Sequence, residues 1–103
     1  MKPTHRPPSH PGEILRHEFR EPLTLTQEDL ARALAVSFKT VNAIECGRQG
    51  ITPEMAHRLA RCLRTTPNLW LNLQVNFDLW QTAHSPIAHE INHLKPLRMA
   101  ARR

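Results

Sequence analysis

The side chains with chemistry to offer cluster in one stretch, Thr26 to Gly47, which reads "TQEDLARALAVSFKTVNAIECG". Two short helices are implied, separated only by Ala35, Val36 and Ser37. That is the spacing of a bihelical reader of nucleic acid, whose first helix crosses the backbone while the second enters the major groove. Such a unit needs a small residue at the helix crossing, a turn residue tolerant of positive φ, and apolar residues that lock the second helix. Ala31, Ala35 and the pair Val41 and Ile44 occupy those places. Gln27 opens the first helix, where its amide and the local N–H groups can hold a phosphate. The face that starts at Phe38, with Lys39, Thr40, Asn42 and Ala43, is left free for a groove. Ser37 caps the second helix and Gly47 stops it, so the recognition helix spans about residues 38–46.

Other chemistries find little support. There is no nucleophile–base pair and no glycine-rich phosphate loop, and the chain has only three glycines, so an enzyme is not expected. Cys46 and Cys62 are too few for a disulfide framework and should be small, core-facing or half-buried residues. The seven histidines are scattered; His84, His89 and His93 are the closest set, and in a helix His89 and His93 would share a face. No second ligand pair accompanies them, so neither a metal nor a cofactor is expected. No apolar run approaches the ~20 residues that span a bilayer, and no apolar segment follows the basic N-terminus as in a signal peptide. A cytoplasmic protein without membrane contact is the expectation.

Charge is informative through its placement. The net charge is +5, but Lys95, Arg98, Arg102 and Arg103 carry four of those charges with no acid among residues 95–103. The body of the chain is therefore nearly neutral, and bulk charge is weak evidence for nucleic acid.

The elements that must position the site are all helical in pattern. Residues 1–10, rich in proline, read as an N-terminal arm. A first helix starts at Pro11, a residue suited to the first helical position, carries Ile14, Leu15 and Phe19 on one face, and ends at Pro22. Thr26, with Asp29 three residues on, gives a relative of the capping box for the second helix, whose buried stripe is Leu30, Ala31 and Leu34. Two Thr-Pro pairs, Thr52-Pro53 and Thr66-Pro67, start a fourth and a fifth helix. The fourth buries Ala56, Leu59, Ala60 and Leu63. The fifth carries two apolar stripes: Leu69, Trp70, Leu73, Phe77 and Trp80 on one, Leu71, Val75 and Leu79 on the other. A helix apolar on two sides needs more cover than a small domain supplies: either the fourth helix and the C-terminal tail cover both stripes, or, the preferred reading, Leu71, Val75 and Leu79 form a partner interface, that of a homodimer. The domain proper is 11–83. A basic tail, 84–103, follows, in which Ile87, Ile91 and Leu94 fit a short helix ended by Pro96.

The segments "PGEILRHEFREPLTLTQEDLARALAVS" and "GRQGITPEMAHRLARCLRTTPNLWLNLQVNFDLW" resemble the HigA-type antitoxins of the Xre/lambda-repressor-like helix-turn-helix superfamily. The likeness covers roughly residues 11–80 and is most specific in "ITPEMAHRLA…TPNLWLNLQ". It implies an all-α, five-helix lambda-repressor-like domain with a short C-terminal extension. It further implies a homodimeric repressor of its own operon, bound to palindromic operator DNA, and the antitoxin half of a pair whose toxin is a HigB-like mRNA-cleaving enzyme. Carried over by position, Gln27 would anchor one phosphate and Arg48 a second. Phe38, Lys39 and Ala43 would face base edges, with Thr40 and Asn42 nearer the backbone, and Ser37 is counted among the DNA-binding residues. Lys39 can donate to guanine O6 or N7, and Phe38 and Ala43 can touch a thymine methyl. No Arg or Gln stands at these reading positions, so DNA shape would share the discrimination. Glu45 would repel a phosphate unless turned aside. Ala35 stands where the superfamily usually has glycine. Competing readings are a free-standing Xre-type regulator without a toxin, and a protein-binding module that has lost DNA recognition.

Overall fold

A computed structural model describes residues 7–98 of the chain. Residues 1–6 of the arm, and Arg102 and Arg103 of the basic tail, lie outside the described residues. Helices are the only regular elements among those described: α1 (Pro11–Ile14), which continues as a π-helical segment (Leu15–Arg20), α2 (Gln27–Leu34), α3 (Phe38–Glu45), α4 (Pro53–Leu63), α5 (Pro67–Ala83) and α6 (Ile87–Asn92). This is the expected all-α frame of five helices plus a short sixth in the tail.

The starts of the helices are set locally. Thr26 and Asp29 form a reciprocal capping box on α2. Ser37, Thr52 and Thr66 each accept the backbone N–H three residues on, at the heads of α3, α4 and α5. The first helix departs from expectation. After one α turn it widens, and Glu21 N–H bonds to the Arg16 carbonyl five residues back, at 2.9 Å. A π turn of this kind inserts a residue into the helical register. The chain then turns sharply at Thr24, with φ at 56°, before α2 begins.

Trp70 sits at the centre of the core, fully buried with Leu15, Leu30, Val41, Ile44 and Leu59 around it. Its indole N–H donates to Thr65 Oγ1 at 2.8 Å, and Phe19 leans on it at 5.3 Å between ring centroids. The arm does not stop short of this core. His10 is buried, its Nδ1 accepts the Gly12 N–H at 2.9 Å to cap α1, and its ring meets Phe77 edge-on. Gly12 lies where no side chain fits. A Cβ there would lie 1.9 Å from the carbonyl oxygen of Ile44, so α1 can lie against the end of α3 only because that atom is absent.

Helix α5 is longer than the core it serves. Its 17 residues span ~25 Å at 1.5 Å per residue; the first half packs against the core, and beyond it Phe77 still meets His10. Leu71, assigned to a partner interface, is half-buried and packs against the core, as does Leu73 of the other stripe. Leu69, on the expected inner stripe, is exposed instead. Beyond the core, Val75 and Leu79 are 49% and 65% exposed, and α6 adds exposed Ile87 and Ile91. The two cysteines also correct expectation. Both Cys46 and Cys62 are exposed, because each lies on the outward side of a helix end whose inward positions are filled by Ile44 and by Leu59.

Candidate nucleic-acid interface

The turn between α2 and α3 has the shape that the sequence demands. Ala35 sits in the left-handed region at φ 59°, ψ 43°, where an L side chain pays a steric penalty that glycine avoids. Support comes from a distant element. Arg58 of α4 donates from Nη1 to the Leu34 carbonyl at 2.8 Å, while its other nitrogens hold Glu54. A cation on the last carbonyls of a helix satisfies groups that no intrahelical N–H can reach. Arg58 is a positioning residue that pattern reading missed, since nothing local marks its partner 24 residues away.

The surface expected to read DNA lies beside this turn. Phe38, Lys39, Thr40, Asn42, Ala43 and Arg48 line one shallow groove of ≈ 400 Å³, joined by Gln49. Six of the eight expected contact residues therefore come together; Gln27 and Ser37 stand outside the groove. Phe38 is 47% exposed, consistent with an apolar side chain offered outward. Lys39 is exposed and makes no ion pair among the described residues. Ser37 is already committed, since its hydroxyl caps α3 and meets Thr40 Oγ1 at 3.0 Å. Gln49 was not expected. Gly47, at φ 78°, folds the chain back so that the N–H groups of Arg48 and Gln49 both bond to the Ala43 carbonyl. The glycine was legible as a stop signal, but not the loop it creates, which brings a glutamine to a surface whose α3 positions hold none.

A polar chain beneath the groove fixes its geometry. Arg20 grips Glu45 with two nitrogens, Nε to Oε2 at 2.6 Å and Nη2 to Oε1 at 2.9 Å, and donates from Nη1 to the Leu25 carbonyl. Gln27 Nε2 donates to Glu45 Oε1 at 2.8 Å. Asn42 Nδ2 in turn donates to Gln27 Oε1 at 3.0 Å, and Arg48 Nη2 donates to Asn42 Oδ1 at 3.1 Å. Glu45 is thus turned aside as expected: its side chain is 2% exposed. The hydrogen bond that Arg20 donates to Glu45 is the main reason that the Arg20 pKa stands above its usual value. Breaking one half of such a buried pair costs ~3–5 kcal/mol, because the other charge stays buried alone. Gln27 and Asn42 are more tied down than the sequence suggests. One N–H of the Gln27 amide is used internally, which leaves a second for another acceptor. The N–H groups of Gln27 and Glu28 also precede the first intrahelical bond, from Leu30 to Thr26.

The loop beyond the groove is clamped from α5. Gln74 Oε1 accepts the Ile51 N–H at 2.7 Å, and its Nε2 donates to Asp78 Oδ1 at 3.0 Å. The α3 surface, the loop and the long helix are thereby tied together by side-chain hydrogen bonds.

A helix-turn-helix protein is what this arrangement defines, and comparison with known proteins agrees: the chain belongs to the helix-turn-helix family, whose sequence model matches residues 17–70. Among its relatives is an uncharacterised helix-turn-helix transcriptional regulator of Haemophilus influenzae, 48% identical over 78% of this chain and 75% of that protein. Antitoxin HigA-1 of Vibrio cholerae is 39% identical over 94% of this chain and 90% of that one. A solved structure of the antitoxin GraA in complex with its operator matches with a TM-score of 0.80 at 46% identity, covering 96% of this chain and 99% of that chain.

Proposed function

We propose that the protein is the antitoxin of a type II toxin–antitoxin pair of the HigBA kind and a homodimeric, sequence-specific repressor of its own operon. The observation that carries this is the exposed α3 groove, held rigid from beneath by the Arg20–Glu45–Gln27–Asn42–Arg48 chain, in a protein 46% identical to an antitoxin solved on its operator. Lys39 and Gln49 offer hydrogen bonds to base edges, and Phe38 and Ala43 offer apolar contact to thymine. The start of α2 at Gln27, and Arg48, meet phosphates on either side; Ser37, Thr40 and Asn42 fix the helix between them. Two such units on a two-fold axis read a palindromic operator with half-sites about one helical turn apart.

Val75 and Leu79, with the adjoining residues of α6, supply the apolar surface for a second copy, and Leu71 contributes from its edge. The domain works as residues 11–83, with residues 1–10 as an arm and 84–103 as a basic tail. The second partner is a HigB-like mRNA-cleaving toxin, neutralised by direct binding. The chain itself acts by binding and not by catalysis, in the cytoplasm. No described helix is long and apolar enough to cross a membrane.

Gel shift with the DNA upstream of the gene is the test. Binding should weaken steeply with salt as phosphate contacts release counterions, and a scrambled palindrome should not compete. Absence of a shift at low salt refutes the repressor reading. The antitoxin half is tested by co-expression with the adjacent gene: relief of growth arrest and co-purification are expected. A second reading, a free-standing Xre-family regulator, has support in the Haemophilus influenzae relative, which is named only as a regulator. It predicts operator binding with no toxin to neutralise.

A further inference from the structure

The tail holds a pair of histidines that DNA binding does not use. His89 lies in α6 and His93 caps its C-terminus. They stand four residues apart, so the helix turns both rings to one side, with centroids 4.5 Å apart and planes tilted by 54°. His93 Nδ1 lies 2.7 Å from the His89 carbonyl oxygen. A carbonyl only accepts, so Nδ1 must carry the proton, which leaves Nε2 of the neutral ring with a free lone pair. A histidine ligand typically has this form: one ring nitrogen donates to a backbone carbonyl and the other faces the ion. Both residues are exposed, and the carbonyl end of a helix favours a cation.

We propose that His89 and His93 form a two-histidine chelate for a divalent first-row transition-metal ion, with zinc as the probe of choice. Imidazole nitrogens suit zinc, copper and nickel, and two nitrogens at ~2.0–2.1 Å from one ion lie within the reach of rings already this close. The local sequence His89-Glu90-Ile91-Asn92-His93 shares its spacing with the helical signature of zinc hydrolases. However, the described residues hold no group of three or more ligands. The pair is therefore a binding site with its remaining positions open to water, and not a hydrolytic centre. Its effect falls on α6. A six-residue helix is too short to hold itself in water, and a clip across its last turn ties residues i and i+4 in helical geometry. Metal binding thus orders the element that carries exposed Ile87 and Ile91.

The test uses the untagged full chain, stripped of metal by chelation and titrated with zinc at about pH 7.5, above the ordinary histidine range. Calorimetry gives stoichiometry, and long-range proton–nitrogen NMR reads each imidazole. The expected result is one zinc per chain, with the His89 and His93 ring signals shifting together and amide exchange slowing across α6. His89→Gln and His93→Gln, each a residue of equal or better helix propensity, should each weaken zinc binding by at least ~tenfold, the low end of losses seen even for changes just outside a ligand shell. His84→Gln should leave binding unchanged. Zinc that shifts neither ring, binds equally well without His93, or is lost equally on removing His84 overturns the proposal.

Discussion

Replacing Gly12 with alanine tests whether the recognition helix is held by backbone contact with α1. The new Cβ would lie 1.9 Å from the Ile44 carbonyl oxygen, 2.7 Å from its carbon and 2.9 Å from Glu45 Cα. All three atoms are backbone, so no side chain can swing away. Relief requires α1 and the end of α3 to part by more than about 1 Å, and overpacking that forces backbone shifts costs ~1–3 kcal/mol. Alanine's better helix propensity returns at most ~1 kcal/mol, and less in a first turn. The net loss is about 1–2 kcal/mol, which for a domain of this size lowers Tm by roughly 5–15 °C. Because Ile44 and Glu45 end the recognition helix, the same shift disturbs the Glu45–Gln27 bond. Operator affinity should therefore fall even at temperatures where the variant is folded. Thermal unfolding by circular dichroism and gel shift at low temperature are the assays. A Gly12→Ala protein as stable as the parent, with full operator affinity, would refute the close-contact argument.

Three further substitutions probe the turn, the groove and the buried histidine. Ala35→Gly removes a Cβ from a left-handed residue and loses no packing, since Ala35 is exposed. The ~1–2 kcal/mol steric relief exceeds the ~0.4–1 kcal/mol entropic cost of glycine, so urea unfolding should show a gain of up to about 1 kcal/mol; a lower midpoint would contradict it. Lys39→Ala should weaken operator binding by ~1–3 kcal/mol and relax preference at one base pair if the amine reads a base, whereas unchanged affinity removes Lys39 from the interface. His10 should make stability depend on pH. Burial is the main cause that lowers its pKa from 6.5, so below pH 6.5 the unfolded chain binds the proton more readily than the folded one. The contribution of His10 is full above that pH and declines as pH falls towards the folded value, where protonation of Nδ1 also breaks the α1 cap. His10→Asn, which keeps a cap acceptor, should flatten the Tm change between about pH 7.5 and 5.5 relative to the parent; equal slopes would count against it.

What the sequence made legible was local. Caps at Thr26, Ser37, Thr52 and Thr66 act within three residues, and the stripes of α2, α3 and α4 follow a fixed period, so the frame could be read directly. Ala35 was legible too, because a two-helix unit so tightly joined leaves one place for positive φ. The rest depends on residues far apart in the chain. Nothing near Arg20 announces Glu45, nor does anything near Arg58 announce Leu34. Neither the inward stripe of α5 nor the point along its length where the core ends was legible: Leu69 is exposed while Leu71 packs inward, and Leu79 lies beyond the core. Gln49 reached the groove through a backward fold at Gly47 that has no period at all.

The polar chain under α3 also divides the helix by how freely each position can change over evolutionary time. Asn42 and Glu45 are bonded into the scaffold, so a substitution there must answer to the fold before it answers to any operator. Lys39, Phe38 and Ala43 make no hydrogen bond from their side chains among the described residues. A lineage can therefore change the positions proposed to read DNA one at a time while the platform beneath stays fixed. Sister copies in one genome can drift to separate operators without passing through an unfolded ancestor.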